Sequence, residues 1–154
     1  MKLIVNRCFG GYSLSPLAVK ELAKRKGKKC FFFKTEDYLN GKYIPITLDQ
    51  AKEQLLWHAF TVPNPNEVIS DQSKWHEMSL KERKLSNESY KKYSLDTRPE
   101  DRADLDLVYV VEKLGVKANG SHANLKVVEI PDGVDWEIDE YDGQESIHEK
   151  HRSW

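Results

Sequence analysis

Cysteine is scarce in this chain, and so is any long apolar run. Cys8 and Cys30 are the two cysteines among 154 residues, too few for the disulfide framework of a small secreted domain. They fall near the ends of strands expected to be neighbours, so a bridge stays open, with the reduced state as the default. No stretch approaches the ~20 apolar residues of a membrane span. The opening residues 1–8 hold only Leu3, Ile4 and Val5 as an apolar run, short of a secretory leader. The expected location is cytoplasmic. Charge of one sign is lacking overall: the net charge of −1 gives no field to steer the chain onto double-stranded DNA or a membrane. Also missing are the G-K-[ST] of a Walker loop, the G-x-G-x-x-G fingerprint, and the histidine spacing of zinc proteases.

What is present reads as one folded α/β domain over residues 1–154. Hydrophobic residues make up 39% and charged residues 32%, and the apolar ones are clustered rather than diluted. Leu3, Ile4 and Val5 predict a strand. Ser15 and Pro16 then predict a helix start, with Leu14 placed to staple onto Val19 and Gly27 to end the helix. Residues 30–33 predict a second strand, which gives a parallel β-α-β start with a right-handed crossover. Thr47 and Gln50 match a capping box opening a helix with Leu48, Ala51, Leu55 and Ala59 on one face. Residues 66–98 are polar and lysine-rich, a variable or lid-like region of loops and short helices. Asp104 caps a helix with the stripe Leu107, Val108, Val111 and Leu114, ended by Gly115.

The C-terminal part predicts an antiparallel hairpin in a mixed sheet. Its first strand runs over 125–130, Pro131-Asp132-Gly133 turns, and Val134, Trp136 and Ile138 alternate with Asp135, Glu137 and Asp139 on the return. Tyr141-Asp142-Gly143 then turns into a short final helix with Trp154 pinned at its end.

The loop after the first strand is the leading candidate site. Gly10 and Gly11 allow close backbone approach, Ser13 and Ser15 add hydroxyls at a helix N-terminus, and Arg7 precedes them. Together they suit an anion, while a tight turn with an ordinary cap explains the same residues. Arg98 and Arg102 precede the Asp104 cap and suit phosphate; surface pairs with Glu100, Asp101 and Asp104 are the competing reading. Tyr12 or a tryptophan is available to stack on a base. Glu145, His148 and His151 share a helical spacing seen in metal sites, but solvated i,i+3 pairs explain it better, so no metal is expected. No catalytic residue and no cofactor are expected; Cys8 lacks a histidine nearby in sequence. Residues 20–34 are strongly basic and 129–145 acidic. These read as solvated faces, or as surfaces that meet in a homo-oligomer.

Asn6-Arg7-Cys8-Phe9-Gly10-Gly11-Tyr12-Ser13-Leu14-Ser15 resembles the opening of a family of small phage and prophage proteins that lack an assigned activity. The run 125–143 and the close Glu149-Lys150-His151-Arg152-Ser153-Trp154 are similar to the end of the same proteins. The helix over 105–115, with Ala118-Asn119-Gly120 after it, fits them too. The resemblance implies a phage setting. Small non-enzymatic proteins in that setting sequester nucleotide signals of host immunity, such as cyclic nucleotides or ADP-ribose derivatives. The expected partner is therefore a small anionic nucleotide-like ligand. An enzyme of nucleotide or ADP-ribose metabolism using Glu145 or His148, and a protein inhibitor acting through the acidic face, are the alternatives.

Overall fold

Strand β1 (Lys2–Asn6) is the centre of the first compact unit of the computed structural model, which describes residues 1–37 and 41–150. The chain divides into two such units, residues 1–26 with 97–154, and residues 27–96. Leu3, Ile4, Val5 and Asn6 of β1 are all buried, so neither face of this strand meets solvent. Antiparallel to it runs β5 (Leu125–Glu129), from Lys2 opposite Glu129 to Asn6 opposite Leu125.

Helix α1 (Pro16–Arg25) starts as its sequence dictates. The Ser15 hydroxyl accepts from the Ala18 N–H, and Pro16 occupies the first turn, where its missing donor costs nothing. Ala18, Val19, Leu22 and Ala23 form its buried face. Helix α4 (Leu105–Leu114) opens on Asp104, whose carboxylate accepts from the N–H groups of Asp106 and Leu107. It buries Leu107, Val108, Val110 and Val111 and packs on α1, β1 and β5. Part of the basic run of α1 is spent here. Arg25 pairs with Asp106 at 2.8 Å, and Lys26 pairs with Asp104. Such exposed pairs add little stability.

The second unit is an antiparallel sheet of order β3-β2-β4, built from β2 (Phe31–Thr35), β3 (Tyr43–Ile46) and β4 (His58–Phe60). Its core gathers Phe33, Tyr43, Phe60 and Ile69. Tyr43 and Phe60 meet edge to face at 4.8 Å between ring centroids, a geometry that aligns the ring quadrupoles. Helix α2 (Leu48–Glu53) carries the Thr47–Gln50 capping box. It stops at Glu53, so Ala59 belongs to β4 and Leu55 is exposed rather than on a helical stripe. The polar region 66–98 holds more order than loops and short helices. Within it α3 (Leu80–Tyr93) runs 14 residues behind a Ser79–Glu82 capping box.

The parallel start is corrected. All sheets among the described residues are antiparallel, and β1 and β2 belong to different ones. The reason lies in the strand edges. One edge of β1 is taken by β5; on the other, the Ile4 N–H donates to the Arg102 carbonyl at 3.0 Å and the Asn6 N–H to the Glu145 carboxylate at 2.8 Å. Strand β2 has β3 and β4 on its two edges. Neither strand has an edge to offer the other, so the crossover rule never applies.

The C-terminal hairpin exists with different strands. β6 (Trp136–Tyr141) pairs with β7 (Gln144–Glu149), not with β5, and residues 144–149 are strand where a helix is expected. Asp142 at φ 50° and Gly143 at φ 85° form the two-residue turn. Positive φ at both positions matches the right-handed twist of the strands it joins, and an Asp-Gly pair supplies it cheaply. The expected packing of Trp154 falls outside the described residues. Cys8 and Cys30 are not joined by a disulfide.

In the second unit, burial pushes the His58 imidazole below its usual 6.5; its ring stacks near-parallel on Phe60, 8° between planes. The unfolded chain then takes up a proton at a higher pH than the folded one. The stability His58 contributes is complete above about pH 6.5 and is lost as pH falls toward its folded value. An NMR titration should place the His58 midpoint below 6.5, with lower protection of the β2 amides, relative to their intrinsic exchange rates, as the pH drops. A midpoint above 6.5 would contradict this burial.

Candidate functional site

The loop after β1 packs against protein on most sides. Ser15 donates its hydroxyl to the Lys117 carbonyl at 2.6 Å while accepting from Ala18, and its own N–H donates to the Ala118 carbonyl. A segment crossing the start of α1 thus satisfies this cap. The Ser13 carbonyl accepts from the Gly120 N–H at 2.9 Å. At Gly10, a Cβ would lie 1.8 Å from the His122 carbonyl oxygen. Close approach is what Gly10 provides, and the backbone it approaches is the chain's own. Cys8 directs its thiol at the same His122 carbonyl, 3.0 Å away. Gly10, Ser13 and Ser15 line neither of the two neighbouring clefts described next.

The larger cleft, about 510 Å³, opens beside this loop and lies wholly within the first unit. Gly11 and Tyr12 form one side, Arg98, Glu100 and Arg102 another, and the hairpin contributes Trp136, Ile138, Glu140, Gly143 and Glu145. Of the residues singled out from sequence, Gly11, Tyr12, Arg98 and Arg102 therefore converge. Arg7 lines a smaller cleft of about 200 Å³, which shares Glu140 and Glu145 with the first. The Arg7 guanidinium donates to the Glu145 carbonyl at 3.3 Å.

Beneath the cleft lies a buried polar cluster. The Glu145 carboxylate receives the Arg102 guanidinium at 2.8 and 3.0 Å and also accepts the Asn6 N–H. The guanidinium lies 3.3 Å from the Tyr12 ring centroid, a cation–π contact. Sequence neighbours Glu100, Asp101 and Asp104 offered themselves as acids for Arg102, but its partner comes from β7. Asn6, fully buried, donates its side-chain amide to the carbonyls of Cys8 at 2.7 Å and Gly143 at 2.6 Å. Its side-chain oxygen accepts from the Asn124 N–H at 2.7 Å. One side chain thereby ties the loop, the hairpin turn and the start of β5 together.

Sequence reading missed Trp136, Ile138, Glu140 and Gly143 as cleft residues. The alternation of Trp136 and Ile138 with acids did mark an inward face, and that face is half-buried because it walls the cleft. Glu140 stands opposite Glu145 in the hairpin register and accepts from the Gly143 N–H. Two carboxylates side by side are tolerated because Arg102 neutralises one of them.

Glu145 and His148 lie on opposite faces of β7, since strand side chains alternate. The Glu-x-x-His pairing needed a helix. His148 instead lies on the exposed face, with Nε2 at 2.8 Å from the Ser146 hydroxyl and 3.5 Å from Asp139. Among the described residues, no group of three or more His, Cys, Asp or Glu is arranged to hold a metal ion, and no helix is long and apolar enough to cross a membrane. His151 falls outside them. No family model, no curated protein and no solved structure matches the chain.

Proposed function

We propose that the protein binds and sequesters a small anionic ligand of nucleotide type in the 510 Å³ cleft, acting on a host immune signal in a phage setting. The observation that carries the reading is the convergence of aromatic and cationic groups on one opening. Its volume lies within the ~300–1,000 Å³ of small-molecule sites. Trp136 offers a ring face for a base, and Arg98 stands at the opening for phosphate. Tyr12 and Arg102, stacked on each other and held by Glu145, form a pre-ordered wall that needs no rearrangement on binding.

Native mass spectrometry of protein from infected or nucleotide-rich cells tests this. A bound mass of nucleotide size, released chemically intact by heat, is the expected result. A chemically altered ligand favours the enzyme alternative. Absence of any bound small molecule favours an inhibitor acting through the exposed acidic side chains of Glu137 and Asp139 on β6 and of Asp135 just before it.

A further inference from the structure

The parity of the β6–β7 ladder fixes which backbone groups of β6 point outward. Asp142 and Gly143 are the two-residue turn, so Tyr141 and Gln144, directly opposite, exchange hydrogen bonds across it. Every second residue back along β6 does the same. At the far end the Lys150 N–H donates to the Asp135 carbonyl at 2.8 Å, in phase with that alternation. The N–H and C=O groups of Trp136, Ile138 and Glu140 therefore face away from β7. Among the described residues no strand pairs with that edge and no other backbone group bonds to it. Neither a proline nor a bulge interrupts the six residues of β6, two of the devices that close a strand edge to partners.

The two faces beside this edge differ. Trp136 and Ile138, half-buried, line the cleft, whereas Glu137 and Asp139 are exposed on the opposite face, Asp139 with His148 at 3.5 Å. Those acids decide what can add to the edge. A second copy of β6 would set Glu137 and Asp139 against the same acids, and like charges directly opposite one another destabilise a strand pair. A strand of opposite charge meets no such barrier. Residues 129–145 hold eight acids and no lysine or arginine, so the field around the edge favours a cationic partner along its length. We propose that the outer edge of β6 docks an extended basic segment of a partner protein, which adds to the hairpin as a third strand. Main-chain bonds to Trp136, Ile138 and Glu140 supply the affinity. Alternate side chains supply the selection, with lysine or arginine over Glu137 and Asp139 and apolar residues over Trp136 and Ile138. This surface does not depend on the cleft holding a nucleotide.

Fluorescence anisotropy on the full chain tests this with labelled heptapeptides of alternating lysine and valine, capped at both ends. The lysine–valine peptide should bind, and its glutamate–valine counterpart about tenfold more weakly or worse. N-methylation of the valines removes the N–H groups that face β6 and should cut affinity about tenfold. N-methylation of the lysines, whose N–H groups point to solvent, should leave most of it. Glu137→Lys with Asp139→Lys, two exposed changes, should turn the preference toward the glutamate peptide. If the two methylated peptides bind equally well, charge attraction alone holds them and the strand pairing is overturned. Equal binding of the lysine and glutamate peptides, or no binding of the lysine peptide, would overturn the basic partner. A chain that sediments as a dimer and becomes monomeric with Ile138→Pro would give the edge to a second copy instead.

Discussion

Arg102→Met is expected to destabilise the first unit by ~3–5 kcal/mol, the usual cost of removing one partner of a buried ion pair. The loss is large because of what stays behind. Glu145 is 5% exposed and, among the described residues, would keep the Asn6 N–H as its hydrogen-bond donor. The cation–π contact with Tyr12 and the bond to the Ile4 carbonyl go with the guanidinium. At ~2–4 °C per kcal/mol for a chain of this size, the melting temperature should fall by ~6–20 °C. Replacing both partners, Arg102→Met with Glu145→Met, should recover much of that loss, because no buried charge is then left alone. A single variant that melts within ~2 °C of the parent would mean that the pair is solvated and not part of the cleft floor.

Asn6→Ala should be nearly as damaging, through neutral groups. The buried amide serves the carbonyls of Cys8 and Gly143 and the N–H of Asn124. Each buried group left unpaired costs ~1–3 kcal/mol, so the total is ~3 kcal/mol or more. The local consequence is as informative as the melting point. With the tie to Gly143 gone, amides of the β6–β7 turn should exchange with solvent much faster, whereas those of α4 lose protection only with global unfolding. Asn6→Asp keeps the acceptor for Asn124 and loses both donors. It should fall on the damaging side too, with its charge set close to the Glu145 carboxylate. Unchanged exchange at the turn in Asn6→Ala would contradict the tying role.

These two positions also show where sequence reading stops. Helix starts were legible because a cap depends on a few adjacent residues. Ser15, Thr47 and Asp104 each accept from an N–H two or three residues on, as their spacing implies. Strand pairing was not legible in the same way. Pro131-Asp132-Gly133 and Asp142-Gly143 are both good turns, and either suits a hairpin. Which one forms depends on β5 being taken by β1, over a hundred residues away in the chain. The spacing of Glu145 and His148 fits a helix as well as a strand, and only the pairing with β6 decides between them. Gly10 and Gly11 were recognised as a place of close approach, yet sequence alone could not say whether backbone or ligand approaches. His122 fills that space at Gly10, while Gly11 faces the cleft. The acid that pairs with Arg102 comes from a distant strand, so no local pattern announces it.

The cleft walled by Trp136 is proposed to hold a nucleotide-type ligand. Native mass spectrometry of the parent protein and of Trp136→Ala, each expressed in the same cells and purified gently, tests it most directly. Trp136 is half-buried on a two-stranded hairpin, so its removal should leave the fold standing while taking away the ring face. The expected result is a bound mass of nucleotide size on the parent, released intact by heat and absent or much reduced on Trp136→Ala. A parent protein with no added mass after exposure to a full nucleotide mixture, or equal loading of the two proteins, would contradict it.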